Sequence, residues 1–196
     1  DIMASFKIFA LSPKMISCIE KICYKEPSKV QELVIPAALR KESMVVTSET
    51  GSGKTHAFLI PIVNNIVITS HSVQAIIVSP TRELARQTYD FAKEFCDTFK
   101  GLRVQLFSSQ VEKNRNVNKL NNTPHIIIAT PGRLLDLCIV DKNINFSTAQ
   151  FVVSYVADML MDMGFFDDIN KLLEHLDSTA KMVFSATINP KLSRII

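Results

Sequence analysis

Short, uninterrupted apolar runs alternate along the chain with longer segments whose apolar residues recur at helical spacing. Met44-Val45-Val46, Val73 to Ser79, Leu102 to Phe107, His125 to Ala129, Phe151 to Ser154 and Lys181 to Phe184 are the short runs, and each reads as a buried strand. Leu11, Met15, Cys18, Ile19 and Ile22 predict a first helix, with Ser12-Pro13 as its start signal. A turn over Tyr24-Lys25-Glu26-Pro27-Ser28 follows, and Val30, Leu33, Val34, Ala37 and Ala38 predict a second helix. Ala57-Phe58-Leu59-Ile60 opens a third. Glu83 to Phe99 reads as a long fourth helix, with Leu84, Thr88, Phe91, Ala92 and Phe95 on one face. Further helices are predicted around Glu112 to Leu120, Gly132 to Cys138 and Phe165 to Leu176. Strands that are apolar throughout, each followed by a helix, predict an α/β fold with a parallel β-sheet covered by helices on both faces. Ligands of such sheets sit outside the carboxyl ends of the strands. Chemistry should therefore collect just after strands.

Composition narrows this picture in three ways. With 196 residues, 47% hydrophobic and 21% charged, the chain can bury a core of its own, and no repeat, low-complexity stretch or linker divides it, so a single domain over 1–196 is expected. The net charge of +3 permits a nucleic-acid partner without requiring one. Cys18, Cys23, Cys96 and Cys138 show neither C-x-x-C spacing nor a neighbouring His, which argues for reduced thiols and against structural zinc. No apolar stretch approaches the roughly 18 residues of a membrane span, and no basic-then-apolar leader opens the chain. The expected location is cytoplasmic, or nuclear in a eukaryote.

The post-strand stretch richest in chemistry is Ser48-Glu49-Thr50-Gly51-Ser52-Gly53-Lys54-Thr55, between an apolar strand and a helix. A strand, a Gly-rich turn and a helix start aim several backbone N–H groups at one point, which suits a polyphosphate. Gly51 and Gly53 allow the backbone path, Lys54 reaches the outer phosphates, and the Thr55 hydroxyl can ligate Mg²⁺ together with waters. The plainer alternative is a Gly-Ser turn that happens to contain Lys-Thr. The other post-strand segments are Pro80-Thr81-Arg82-Glu83, Thr130-Pro131-Gly132-Arg133, Val156-Ala157-Asp158 and Ser185-Ala186-Thr187.

Taken together, these segments resemble the N-terminal RecA-like half of a DEAD-box ATP-dependent RNA helicase, from Phe6 to about Arg194. The resemblance implies a RecA-like P-loop NTPase domain, with residues 1–41 as an adenine-reading segment and 42–196 as the P-loop core. Phe6, Tyr24, Pro27, Ser28 and Gln31 match the adenine-reading motif, in which the glutamine amide offers adenine one donor and one acceptor. A surface Gln and a core Phe are the alternative for this pair. Pro80-Thr81-Arg82-Glu83 and Thr130-Pro131-Gly132-Arg133 resemble the RNA-contacting motifs, which hold the RNA backbone without reading bases. Ordinary helix capping by Thr81 and Thr130 is the alternative for each Thr alone. Ser185-Ala186-Thr187 resembles the motif that couples nucleotide state to RNA binding, and Asp158 ends the D-E-A-D stretch.

Several positions depart from the family pattern. Ser48 opens the phosphate loop where Gly or Ala is usual, Lys29 replaces a proline and Cys23 a glycine, and Ser108-Ser109 stands where relatives carry Gly-Gly. The largest departure is at the acidic motif, located by Ala157-Asp158 and by Asp162-Met163-Gly164-Phe165 downstream: its first two acids fall on Tyr155 and Val156. In relatives the first acid holds Mg²⁺ and the second orients the attacking water. A phenol with a pKa of about 10 and an isopropyl group do neither at neutral pH. Asp158, Asp162 and Asp167 are the candidate substitutes. The expectation is a domain that binds ATP and RNA but hydrolyses ATP poorly, with Lys54, Thr55, Asp158, Ser185 and Thr187 as its remaining catalytic and coupling residues. Implied partners are RNA, ATP with Mg²⁺ and a second RecA-like domain absent from this chain, the domain itself being monomeric. A pseudo-ATPase clamp or scaffold is the rival reading.

Overall fold

The structure, a computed structural model, describes residues 5–22, 26–47, 53–108, 123–139, 144–156 and 179–185. Within them the strands are β1 (Met44–Thr47), β2 (Ala75–Val78), β3 (Val104–Phe107), β4 (Ile126–Ala129), β5 (Phe151–Val156) and β6 (Ala180–Ser185). They form one sheet in the order β1-β6-β5-β2-β4-β3, and every pairing is parallel. The helices are α1 (Pro13–Lys21), α2 (Lys29–Leu39), α3 (Lys54–Asn65), α4 (Arg82–Lys93) and α5 (Pro131–Ile139). The predicted helices over Glu112 to Leu120 and Phe165 to Leu176 lie outside the described residues.

Strand alternation divides the core into two layers. Ile77, Ile128, Val153, Met182 and Phe184 pack with α1 to α4 on one face, through Met15, Ile35, Phe58 and Ala92. Ile76, Val78, Ile127, Val152 and Val183 pack with Leu134 and Leu137 of α5 on the other. Each large side chain buried in this way contributes about 1.5 to 3 kcal/mol. The central strands β2 and β4 are buried at every position. That is why their sequences run apolar without alternation.

Three expectations need correction. Met44-Val45-Val46 is no buried strand: among the described residues β1 is at the edge of the sheet, its residues alternate in exposure, and Val45 is 38% exposed. The long fourth helix is an α-helix only to Lys93, where it tightens into a 3-10 turn over Glu94–Asp97. This is a common adjustment at helix ends, and it keeps Phe95 and Phe99 in the core. Finally, Val156 and Ser185 do not follow their strands but belong to them, because pairing extends to Tyr155 with Phe184 and Val156 with Ser185.

At the amino ends of the strands, buried His125 joins the segment after α3 to the residue that precedes β3. Its Nδ1 accepts the Arg103 backbone N–H at 3.0 Å, while Nε2 lies 3.0 Å from the Ile68 carbonyl and 3.1 Å from that of Ser70. The carbonyls make Nε2 the protonated nitrogen of a neutral ring. This knot is remote from the carboxyl edge where ligands of such sheets bind.

Candidate nucleotide and RNA site

At the carboxyl edge the sheet order sorts the functional segments. β1, β6 and β5 are consecutive neighbours, and their ends carry the phosphate-loop side, Ser185 and Tyr155. β2, β4 and β3 form the other half and end at Ser79-Pro80-Thr81, Thr130 and Ser108. Segments far apart in sequence are thereby gathered into two adjacent groups, with the β5–β2 pair as their common border.

On the first side, α3 begins at Gly53, whose backbone is left-handed at φ +84°. Ser48, Glu49, Thr50, Gly51 and Ser52 lie outside the described residues, as does Tyr24. The start of α2 meets this helix start. Ser28 and Gln31 form a capping box in which the Ser28 N–H donates to Gln31 Oε1 at 2.9 Å and the Gln31 N–H donates to Ser28 Oγ at 3.3 Å. Gln31 Nε2 then donates to the Gly53 carbonyl at 3.1 Å. The Gln31 side chain is 1% exposed, so it is not the surface glutamine of the plainer alternative. Among the described residues these bonds leave one amide hydrogen and one Oε1 lone pair of Gln31 unused. Pro27 is buried beside this cap. Phe6 belongs to the core, 4% exposed with its ring edge-on to Phe9 at 6.1 Å.

An alanine at 53 would be strained in this backbone region and would bring Cβ within 2.7 Å of Gln31 Nε2. Gly53→Ala is expected to cost about 2 kcal/mol, the sum of left-handed strain and a displaced hydrogen bond. Urea unfolding is the check; a midpoint equal to that of the unsubstituted chain would contradict it.

Beyond Gly53, Lys54 is half-buried, and that burial lowers the pKa of its ammonium. Its Nζ lies 5.8 Å from the centroid of the Tyr155 ring. Thr55 Oγ1 and Tyr155 Oη are 2.7 Å apart, and Thr88 of α4, whose Oγ1 donates to the Leu84 carbonyl at 3.0 Å, is near enough to act on the phenol. Tyr155 is 3% exposed, edge-on to Phe58 at 5.4 Å and tilted to Phe184 at 6.1 Å. Burial raises its pKa further, against the opposing pull of the two threonine hydroxyls. The phenol therefore stays protonated. Ser185 is 2% exposed between Thr47 and Val156 in the pairing. Asp158, Asp162, Asp167 and Thr187 lie outside the described residues.

On the second side, Thr81, Arg82 and Glu83 are exposed, and Thr81 Oγ1 accepts the Leu84 N–H at 3.1 Å. Thr81 thus caps α4 and presents Arg82 and the helix start outward. Gly132 is exposed, and a Cβ there would meet nothing within 4 Å. Thr130 and Ser108 are partly buried, Pro131 is buried, and Ser109 lies outside the described residues. Arg133, expected at an RNA phosphate, is 6% exposed, with its guanidinium carbon 6.0 Å from the Phe107 ring and Nη1 3.9 Å from Asp136 Oδ2. A planar guanidinium stacks well on an aromatic ring, so the arginine packs inward and Arg82 is the exposed one of the pair. Sequence reasoning missed the Tyr155–Thr88 contact. Its signal was there: a polar residue on the apolar face of α4.

Comparison with known proteins adds to this geometry. The family model described as DEAD/DEAH box helicase matches residues 28–195. The DEAD-box ATP-dependent RNA helicase CshB of Bacillus subtilis is 37% identical over 190 residues, covering 95% of this chain and 43% of that protein. CshB of Listeria monocytogenes is 40% identical over 189 residues, with the same coverage of 95% and 43%. The chain therefore spans less than half the length of these relatives. Among solved structures, S. cerevisiae Dbp5 bound to RNA and ADP BeF3 is similar with a TM-score of 0.84 at 30% identity, over 97% of this chain and 48% of that chain.

Proposed function

Because this chain belongs to the DEAD/DEAH box helicase family, we propose that it is the N-terminal, ATP- and RNA-binding RecA-like domain of a DEAD-box RNA helicase whose hydrolytic step is impaired. The start of α3 with Lys54 would hold the phosphates, and the Gln31 amide would meet the adenine edge. The exposed start of α4, with Arg82, would hold RNA phosphates without regard to base. Residues 1–41 act in this reading as the adenine-side segment and 42–196 as the core. A second RecA-like domain would close over ATP and RNA, on a monomeric, cytoplasmic protein. Support for binding comes from the family match and from a relative solved with RNA and a nucleotide analogue.

The observation that carries the impairment is the phenol of Tyr155 at 2.7 Å from Thr55, where the family motif has its first carboxylate. A neutral, buried hydroxyl neither attracts a metal strongly nor accepts a proton from water. The same observation favours the second reading, a pseudo-ATPase clamp in which nucleotide only biases conformation.

Calorimetry with ADP tests the binding half. Heat of binding is expected for the chain, with at least about tenfold weaker affinity in Lys54→Ala, whose ammonium would meet the phosphates. No heat from the unsubstituted chain would remove the proposal. ATP turnover near background, with RNA and a supplied second domain, would support the impaired site, and turnover typical of the family would refute it.

A further inference from the structure

We infer that this domain takes up adenine nucleotide without help from a divalent cation, an inference that rests on the nucleotide-binding reading above and extends it to the charge that neutralises the phosphates. The described residues around Thr55 do not fit a magnesium site. Thr55 Oγ1, the protein ligand that a phosphate loop of this kind offers to the metal, is 2.7 Å from Tyr155 Oη. That phenol stands where the family resemblance places a carboxylate. A phenol is neutral at physiological pH, and the next residue, Val156, has no donor atom. Among the described residues no group of three His, Cys, Asp or Glu side chains converges to hold a metal ion.

The positive charge beside the phenol belongs to the chain itself. Lys54 Nζ lies 5.8 Å from the Tyr155 ring centroid, so an ammonium is already in place at the start of α3. It would attract phosphate and repel a dication.

Thermodynamic linkage turns this into a measurable statement. A cation tightens nucleotide binding only if the protein holds the cation–nucleotide complex better than the nucleotide alone. A carboxylate beside Thr55 would supply that difference by attracting the dication. Tyr155 supplies none, and equal affinities shift nothing.

The test is a titration of fluorescent ADP into the chain, once in EDTA and once in excess magnesium. The two dissociation constants are expected to agree within about threefold. Stronger tightening by magnesium overturns the inference and leaves the nucleotide reading intact. Absence of binding in both buffers removes that reading and the inference with it. Two variants locate the cause. Tyr155→Phe, which keeps the ring, is expected to remain indifferent to magnesium; in Tyr155→Asp magnesium is expected to tighten ADP by about tenfold or more. A folded Tyr155→Asp protein that stays indifferent would overturn the role given to Tyr155, and the comparison on the unsubstituted chain stands whether or not that variant folds.

Discussion

Replacing Tyr155 by Asp and Val156 by Glu together is expected to raise ATP turnover by about 100-fold or more, measured with single-stranded RNA and a supplied second RecA-like domain. The same double replacement is expected to lower the stability of the nucleotide-free domain by about 3 to 5 kcal/mol. Both effects follow from where Tyr155 sits. Its ring fills a space between Phe58 and Phe184, and its hydroxyl bonds Thr55. Aspartate is shorter by most of a ring, so it leaves a cavity, withdraws a partner from Thr55 and sets a carboxylate among aromatic side chains. The gain in rate is the return of a group that orients or deprotonates water, worth about 10² to 10⁴ in such reactions. Nucleotide at 100 times its dissociation constant would restore about 2.7 kcal/mol of the lost stability, so melting curves belong beside the kinetics. A double variant that is folded and nucleotide-bound yet no faster would show that the obstacle lies elsewhere and would favour the scaffold reading.

How much of this was legible in the sequence differs between fold and site. Buried parallel strands announce themselves because both faces need apolar residues, which makes Val73 to Ser79 and His125 to Ala129 unmistakable. Edge position has no such signature. Met44-Val45-Val46 is as apolar as an interior strand, and only the sheet order shows that among the described residues one side of it has no neighbouring strand. Strand order follows from long-range pairing, so the separation of the carboxyl edge into a β1-β6-β5 half and a β2-β4-β3 half could not be read from local patterns. The candidate site was legible where a motif places a backbone, as at Ser28, Gln31, Gly53 and Thr81. It was not legible where a long side chain chooses between solvent and a neighbour. Arg133 turned inward to Phe107, and Tyr155 reached Thr55 and Thr88. The inward turn of Arg133 depends on the placement of the Phe107 ring, which no spacing encodes, whereas for Tyr155 the one sequence signal was polar Thr88 on the apolar face of α4.

The second large effect is on pH. Lowering the pH from about 7 to about 4 is expected to remove about 3 kcal/mol of folding stability through one buried side chain, His56 of α3. The ring is 3% exposed, edge-on to Phe91 at 4.9 Å and 6.2 Å from Phe95, and burial lowers its pKa from 6.5 to about 4. A depressed histidine pKa means that below pH 6.5 the unfolded chain binds a proton which the folded chain refuses. Stability is therefore intact above that value and falls as the pH drops toward 4, a span of about 2.5 pH units at 1.36 kcal/mol each. Glu94 faces the ring, with Oε2 3.7 Å from His56 Nε2, and burial raises its own pKa above 4.5. Its contribution has the opposite sign, but the carboxyl is 43% exposed and offsets only a small part. His125 adds in the same direction as His56, since burial first and the Arg103 cation second lower its pKa. Urea titrations at several pH values separate these contributions. In His56→Leu, which keeps an apolar group against Phe91, the loss of stability between pH 6.5 and 4 is expected to shrink by most of that amount; curves that stay parallel to those of the unsubstituted chain would assign the acid sensitivity to other groups.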